Sequence, residues 1–416
     1  MSQLVSRLVL AACVALIAAA PAAAGSPSPM DGGSTSAHLP APALFSSLFA
    51  LGTDLSDVGF PAGALATAGP SAQAVETDGD NVLTVDDGAD CPSAEYPTIQ
   101  AAVDAADPGD RIKVCRGTYT EQVVIPAGKD DLTLFSAGFL QAVIKAPPVM
   151  TDPGDIVRVA GARNVTLRHF TISGPLPDQL FCSLFTRTGV RIDEGGSATL
   201  TDNHITEIRS ASPLLRGCQN GIAVLVGRAS EGQTGSAEIT HNLIDRYQKG
   251  AVVVDGEGSY AEVHHNEIVG VGPQPAIAPN GVQVSREAGA DVHHNEISGN
   301  SFSLGSAAGT GIILFQANGA DLTVGFNDVF RNDDGISLYD VDGSLIEHNR
   351  SHDQLLFDGM YADADSTGNR IAYNRMERNF EHDCHDDSTG AGSGGSANFW
   401  IKDYGLTENR PGLCRS

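Results

Sequence analysis

The chain has 416 residues, and its 25 Lys and Arg are outnumbered by 51 Asp and Glu, which gives a net charge of −26. Nucleic-acid binding rests on Lys and Arg contacts to phosphate, so this balance argues against a nucleic-acid partner. It also argues against unassisted binding of polyuronates, unless Ca²⁺ bridges the like charges. The surplus of acid is typical of a solvated surface that keeps an exported protein soluble.

The first 80 residues predict an exported protein with a flexible N-terminal segment. Arg7, the apolar run 8–20 and the small residues 22–24 form the pattern of a signal peptide, assigned to residues 1–24. Residues 25–80 are rich in Ser, Pro, Ala and Gly, which predicts a low-complexity linker. The leader is too short to span a bilayer securely, and no later segment is apolar enough. We therefore expect a secreted, extracellular protein without a membrane span.

Residues 81–125 predict an end piece followed by the first strands of the folded domain. Thr98 is placed to cap a short Ala-rich helix, which Pro108 and Gly109 stop. Alternating apolar residues follow and predict strands. Because a solenoid needs an atypical unit to cover its open core, this helix fits an N-terminal cap.

From residue 189 onward the chain repeats one unit. Gly311, Gly335 and Gly359 are 24 residues apart, and each opens a short alternating apolar run. Periods of 20–50 residues indicate solenoids or propellers. A unit of 24 residues is too short for a four-stranded propeller blade but suits one coil of a parallel β-helix with two or three short strands. The predicted fold class is therefore all-β, a parallel β-helix of about ten coils.

Each repeat also carries an Asn in a fixed place, usually after a His or an aromatic residue. Asn tolerates left-handed backbone geometry, and its amide can bond the Asn of the next coil. We interpret the repeated His-Asn pairs as a structural ladder with the His on the outer face, because repetition argues against a unique catalytic role. The predicted ladder positions are Asn203, Asn242, Asn266, Asn295, Asn327, Asn349 and Asn374.

The N-terminal residues Thr98–Ala102, Pro108–Asp110 and the Gly117-Thr-Tyr-x-Glu121 motif resemble the signature of the pectin-lyase-like superfamily of right-handed parallel β-helices. With the Asn repeats, the resemblance covers residues 81–416. It implies the fold, but this superfamily includes polysaccharide lyases, hydrolases, esterases, uronate epimerases and members without an assigned reaction, so fold does not give function. Residues 380–416 break the repeat and resemble the closing segment of secreted actinobacterial β-helix proteins, which predicts a C-terminal cap.

Six of the seven cysteines follow the leader, and an even number in an exported chain predicts disulfides. Six cysteines allow fifteen pairings. Order along a solenoid favours neighbours, and the first and last bonds would then staple the two ends of the coil stack. The favoured pairs are Cys91–Cys115, Cys182–Cys218 and Cys384–Cys414.

Alternate residues of the strand after each glycine should point outward and form columns. Phe315, Tyr339 and Tyr361 are predicted to form an aromatic substrate-binding face at the C-terminal end, since rings stack on the C–H faces of sugars. The alternative is a covered hydrophobic patch. The first predicted outward column is Arg191, Ala223, Val252, Gln283, Ile313, Ser337 and Tyr361. The second is Asp193, Leu225, Val254, Ser285, Phe315, Tyr339 and Asp363.

Two catalytic arrangements are consistent with these residues. Glycoside hydrolysis needs two carboxylates, which Asp334 with Asp340 or Asp363 could supply, although Asp334 in its Asn-Asp-Asp-Gly segment equally suits a turn. Lyase or epimerase chemistry needs a base and a group, Ca²⁺ or Arg, that neutralises the sugar carboxylate. The candidates for that chemistry are Tyr361, Asp363, His352 and Arg350.

The cluster His382, Asp383, His385, Asp386 and Asp387 has no strong metal-site spacing, so no metal site is assigned there. We expect a monomeric protein that acts on or binds extracellular polysaccharide, with lyase or epimerase chemistry suggested only by the resemblance. The alternative is a non-catalytic glycan-binding or cell-surface protein. A third option, an accessory β-helix protein of copper-enzyme maturation, is disfavoured by few Met and the absence of a Cys-x-x-Cys motif. No cofactor is required, although Ca²⁺ would suit an acidic polymer.

Overall fold

The computed structural model describes residues 81–88, 90–178, 182, 186–304 and 307–415. The predicted signal peptide and linker therefore lie outside the described residues. Within the described part, short strands stack in three parallel sheets, and one helix, α1 (Ile99–Ala105), lies between the first two strands of the chain. Short 3₁₀ turns occur at Pro213–Leu215, Ala229–Glu231, Gly319–Asp321 and Ser393–Gly395.

Sheet A contains twelve parallel strands, stacked in chain order. Its strands are β1 (Val82–Val85), β2 (Arg111–Val114), β5 (Thr133–Ser136), β8 (Val165–Arg168), β11 (Gly196–Thr201), β14 (Gly235–Thr240), β17 (Tyr260–His264), β20 (Gly289–His293), β23 (Leu322–Gly325), β26 (Leu345–Glu347), β29 (Arg370–Ala372) and β32 (Phe399–Ile401).

Sheet B contains ten parallel strands, and each follows the sheet A strand of its own coil. Its strands are β3 (Gly117–Thr120), β6 (Ala142–Lys145), β9 (Thr171–Ser173), β12 (His204–Thr206), β15 (Leu243–Asp245), β18 (Glu267–Gln274), β21 (Glu296–Phe302), β24 (Asp328–Phe330), β27 (Arg350–His352) and β30 (Arg375–Glu377).

Sheet C contains the third strand of each coil and carries most of the predicted site. Its ten strands are β4 (Val123–Pro126), β7 (Asp155–Ala160), β10 (Thr188–Asp193), β13 (Ile222–Val226), β16 (Gly250–Asp255), β19 (Asn280–Ser285), β22 (Thr310–Phe315), β25 (Asp334–Tyr339), β28 (Met360–Ala362) and β31 (Cys384–Asp386). This three-sheet winding, with a core of inward Val, Ile and Leu, confirms the predicted parallel β-helix.

The N-terminal residues that carry the family resemblance have structural roles. The Thr98 hydroxyl accepts a hydrogen bond from the amide of Ala101 and caps α1. Both oxygens of the Glu121 carboxylate accept bonds of 2.9 Å from the first amides of the helix. The buried Tyr119 hydroxyl donates to the Cys115 carbonyl at 2.9 Å. The motif therefore fastens the capping helix onto the first coil.

The Asn ladder runs through the buried corner between sheets A and B. Each amide nitrogen donates to the amide oxygen of the Asn one coil further on, at 2.9–3.1 Å. Asp403 ends the ladder by accepting from Asn374 at 2.9 Å. Every member is at most 2% exposed, so the ladder satisfies backbone groups that the corner would otherwise leave unpaired.

The expectation that the ladder Asn itself adopts the left-handed backbone geometry was wrong. The left-handed backbone belongs to the residue before each Asn, with φ between 54° and 59° at positions such as His265, Phe326 and Tyr373. This residue turns the corner, which sends its own ring outward and the next side chain inward. The rings are exposed and stack from coil to coil, with centroids 4.8–5.1 Å apart. The predicted outer position of the His is therefore confirmed.

The cysteine pairs in the structure are those favoured by chain order, Cys91–Cys115, Cys182–Cys218 and Cys384–Cys414. The first joins residues at the N-terminal end of the stack, and the last joins β31 to the closing segment. The two terminal bonds thus connect the coils that have a neighbour on only one side.

Candidate functional site

The outer face of sheet C stacks equivalent side chains because its strands pair in parallel without slipping between β19 and β31. One column contains Gln283, Ile313, Ser337, Tyr361 and His385. The neighbouring column contains Ser285, Phe315, Tyr339 and, one residue beyond β28, Asp363. The sequence therefore placed these members correctly but ended the first column one coil too early.

Three predicted outward residues, Ala223, Val252 and Val254, lie instead in the core. Gly250 pairs with Asn280 and Ile222 pairs with Gly250, so Gly250 lies one residue and Gly221 two residues before the position that Gly281 occupies in its own coil. A one-residue shift moves side chains to the opposite face of a strand. The residues that face outward here are Leu225 and Val253, which form a small buried apolar cluster with Ile222.

Arg191 and Asp193, predicted to be outward, are buried in an ion-pair network. The Arg191 Nε lies 2.7 Å from an Asp193 carboxylate oxygen, and Arg158 Nη2 lies 2.9 Å from the same oxygen. The Glu231 carboxylate pairs with the other end of Arg191. The sheet C face at β7 and β10 is therefore filled by an ion-pair network.

A hydrogen-bonded relay occupies the C-terminal end of this face. The Asp358 Oδ2 lies 2.8 Å from His385 Nδ1, and His385 Nε2 lies 3.0 Å from Asp387 Oδ1. The Tyr361 hydroxyl donates to Asp387 Oδ2 at 3.3 Å. The side chains of Asp358 and His385 are 4% and 6% exposed, whereas that of Asp387 is 42% exposed. The relay thus leads from a buried carboxylate to a carboxylate open to solvent.

The electrostatics of the relay determine which groups carry protons. Burial acts to lower the pKa of His385, but Asp358 and Asp387 outweigh it and raise the pKa to about 9. Burial, with the charges of Asp387 and Asp363, raises the pKa of Tyr361. At neutral pH His385 is therefore an imidazolium and Tyr361 a phenol. Tyr361 suits the role of proton donor, and its expected role as a base is disfavoured.

Asp334 is enclosed and does not meet Asp340 or Asp363, the carboxylates predicted to act with it in glycoside hydrolysis. Its Oδ2 accepts from Ser337 Oγ at 2.7 Å, and burial with the nearby Asp358 charge raises its pKa to about 7. Asp340 follows six residues later along an extended strand, which is roughly 20 Å. Paired glycosidase carboxylates lie about 5–10 Å apart. Asp363, beside Asp340 on the next coil, is also too far, so the structure does not bring these predicted pairs together.

The side chains predicted to carry lyase or epimerase chemistry also lie on different sheets. Arg350 and His352 lie on β27 in sheet B, whereas Tyr361 lies on β28 in sheet C. His352 is held by Asp328 at 2.9 Å and by Asp353 at 2.6 Å, and the hydrogen bond to Asp328 raises its pKa. Proximity along the chain does not bring these groups together, because consecutive strands of a coil face different directions.

The aromatic face is present and half-buried. The rings of Tyr339 and Tyr361 are tilted to each other by 54° with centroids 5.4 Å apart. Phe315 precedes Tyr339 in the same column. A depression adjoins this column at the turns that follow β19, β22 and β25. It is lined by Arg286, Glu287, Gln316, Asn318, Asp340 and Asp342.

The His and Asp side chains between His382 and Asp387 form two groups, one that holds the closing segment in place and one that offers ligand atoms. Asp386 bonds Ser388 and the Trp400 indole, and Asp383 bonds Asn379 and the amides of the closing segment, so both are structural. His382 and His385 both contact Asp358, and the three residues offer ligand atoms within 4.8 Å of one another. Two neutral imidazoles and a carboxylate would suit a divalent transition metal, but the charged His385 ring of the relay has no free lone pair to bind one.

Sequence reasoning missed Asp358 and gave no catalytic role to His385 or Asp387. Extending the column by one coil past Tyr361 would have reached His385, because Cys384-His385-Asp386 repeats the inward-outward alternation of Met360-Tyr361-Ala362. Asp358 carried no signal, since it precedes its strand and meets His385 only through the stacking of coils. Among the described residues, no helix is long and apolar enough to cross a membrane.

The profile of the family described as the right handed beta helix region matches residues 224–401. The Dettilon tailspike protein is similar in structure at 15% identity, with a TM-score of 0.53 over 78% of this chain and 61% of that one. The GH136 lacto-N-biosidase from Eubacterium ramulus is similar at 15% identity, with a TM-score of 0.51 over 81% of this chain and 66% of that one. The chain thus spans less than two thirds of each.

No curated protein sequence matches the chain. At the identities of these solved structures, the likeness concerns the fold. Together with the three parallel sheets and the matched repeat region, it identifies the fold as a right-handed parallel β-helix.

Proposed function

We propose that this protein is exported and acts on an extracellular polysaccharide at the C-terminal end of the sheet C face. The observation that carries the proposal is the relay from Asp358 through His385 to the exposed Asp387, which also bonds Tyr361. A neutral phenol and an accessible carboxylate on one surface supply a proton donor and a proton acceptor. Three disulfides are consistent with export.

Each side chain of the relay has a distinct role in this proposal. Asp387 accepts a proton from the sugar or from an attacking water, and Tyr361 donates a proton to the departing glycosidic oxygen. His385 touches no substrate, because it is buried, and acts as a positioning residue whose positive charge lies against Asp387. Asp358 fixes the orientation of the His385 ring.

The polysaccharide is proposed to lie across the aromatic column. Phe315, Tyr339 and Tyr361 offer ring faces to sugar C–H groups, and the polar depression beside them offers hydrogen-bonding groups to hydroxyls. The carboxylates around Tyr361 disfavour an acidic polymer unless Ca²⁺ bridges the like charges. A carbohydrate role also agrees with one structural neighbour, which is a lacto-N-biosidase.

The test is to incubate the mature protein with neutral and acidic polysaccharides, with and without Ca²⁺. Ultraviolet absorbance of unsaturated uronates and release of reducing ends are followed together. Absorbance indicates a lyase, and reducing ends without it indicate a hydrolase. Asp387→Asn and Tyr361→Phe should each lower the rate roughly 100-fold or more. Asp365→Asn, an exposed carboxylate two residues after Asp363, is the matched control and should retain the rate.

A second candidate function is non-catalytic glycan binding. It is favoured by the mutual satisfaction of Asp358, His385 and Asp387, which a purely structural cluster would also show. Glycan binding without a product in any arm, including a proton-exchange assay for epimerisation, would favour this candidate. Absence of both binding and products would overturn the placement of a carbohydrate site on this face.

A further inference from the structure

A second cluster of titratable side chains lies far along the stack from the relay, where sheet A turns into sheet B. Two successive coils each contribute a His-His pair, the last residue of the sheet A strand and the residue that turns the corner. His264 stacks on His293 with ring centroids 4.9 Å apart, and His265 stacks on His294 at 5.0 Å. His241 extends the second stack at 5.1 Å. We name these five residues the histidine array.

The ring nitrogens of the array face one another. The Nδ1 atoms of His264 and His265 are 2.9 Å apart, and so are those of His293 and His294. Two imidazole nitrogens at this distance either share one proton or present two lone pairs to one ion. The Nε2 atom of His264 is shielded from solvent and has no hydrogen-bond partner. His264 Nε2 is therefore a ring nitrogen of the array that no hydrogen bond of the fold uses.

We propose that the histidine array is a binding site for a divalent transition-metal ion of the Zn²⁺ class, held by His264, His265 and His293. These residues offer one ligand atom each within 4.8 Å of one another. Zinc–nitrogen bonds of 2.0–2.1 Å place tetrahedral ligands about 3.3 Å apart. Small rotations of side chains on the surface bring the nitrogens to that spacing. Imidazole donors favour Zn²⁺, Ni²⁺ or Cu²⁺ over Ca²⁺ and Mg²⁺.

The surroundings of the array favour the binding of a cation. The carboxylate of Glu238 lies 3.5 Å from His264 Nε2, and that of Glu262 lies 3.4 Å from His293 Nε2. The net charge of −26 concentrates cations around the protein. His265 is exposed, so an ion from solvent can reach it.

The site is distinct from the group formed by Asp358, His382 and His385, and the experiment must separate the two. The full-length metal-stripped protein is titrated with Zn²⁺ alone by calorimetry, and with Co²⁺ to record the absorption of a nitrogen-ligated ion. The variants are the double substitution His265→Ala/His293→Ala, the single His382→Ala and the matched control His348→Ala. His348 stacks in the same column of exposed rings but lies two coils beyond His294.

We expect saturable Zn²⁺ binding with a Kd in the micromolar range. The double substitution should lower the affinity for one ion about tenfold or more and alter the Co²⁺ spectrum. His348→Ala and His382→Ala should leave that ion unchanged. Absence of saturable binding, or equal binding by the double variant and the unmodified protein, would overturn the proposal, as would loss of the only bound ion in His382→Ala. Circular dichroism confirms that each variant is folded, and His265→Gln/His293→Gln replaces the double Ala variant if it is not.

Discussion

Replacing Asn295 by Ala tests whether the Asn ladder holds the coils together. The Asn295 amide oxygen accepts from the backbone and side-chain nitrogens of Asn266 at 3.1 and 3.0 Å. Its nitrogen donates to the Val263 and His293 carbonyls and to Asn327. The Asn266 side-chain nitrogen would keep two other acceptors. The Asn266 backbone N–H would lose the acceptor that Asn295 supplies in a corner only 2% exposed.

One orphaned buried donor costs about 1–3 kcal/mol, and we expect the free energy of unfolding to fall by that amount. With an m-value near 3 kcal/mol per molar urea, the unfolding midpoint should fall by roughly 0.3–1 M. The measurement is urea unfolding followed by circular dichroism. Glu296→Ala is the matched control, because Glu296 is the next residue, begins β21 and has an exposed side chain. Its effect should stay within about 0.5 kcal/mol. Equal midpoints for both variants would refute a stabilising ladder.

Three further outcomes are expected. Tyr339→Ala should weaken glycan binding about two- to tenfold without unfolding, whereas Tyr339→Phe retains the stacking ring, so binding titrations in which both behave alike would contradict sugar stacking. Because the pKa of His385 is raised from 6.5 to about 9, its stabilising contribution is complete below pH 6.5 and is lost as pH rises through 9. Thermal midpoints between pH 6 and 10 should therefore fall less steeply for His385→Gln, and equal slopes would contradict the charged imidazole. Removing the Cys384–Cys414 bond, which closes 30 residues, should cost about 3–4 kcal/mol and expose the C-terminal segment to proteolysis first; unchanged protease resistance would contradict the stapling role.

The fold was readable from the sequence because its determinants recur. Three sequence features each predict one structure: the 24-residue period predicts a coil, the Asn in each repeat predicts the ladder, and the capped helix ahead of the repeats predicts the N-terminal cap. Thr98, Glu121 and the ladder Asn residues each accept a hydrogen bond from a nearby backbone amide, so each has a local structural role. Residues with such local roles produce recognisable sequence patterns, and those patterns were sufficient to predict the fold.

The site was less predictable because it depends on register between coils. Gly250 and Gly281 look equivalent in sequence, yet Gly250 pairs with Asn280, and this single-residue offset moved Val252 from the predicted surface into the core. Asp358 and His385 are 27 residues apart and meet only because β28 and β31 pair. Conversely, His352 is close to Tyr361 in sequence and faces away from it. A one-dimensional period cannot show which side chains of successive coils share a column when the loops differ in length.

The placement of the relay follows from how the coils use one shared outer column. In the first coils this column holds Arg158 and Arg191, which bury their charges against acidic neighbours. In the middle it holds Leu225 and Val253, which are buried in an apolar cluster. From Gln283 onward the column lies beside open turns and contains Ile313, Ser337 and Tyr361, and it ends at His385. The β-helix fixes the position of every side chain in the column without fixing its chemistry. The last coils can therefore hold an acid–base relay at positions that in earlier coils hold ion pairs or packed apolar side chains. Substitutions of Asp387 or Tyr361 should change function while leaving the ladder intact.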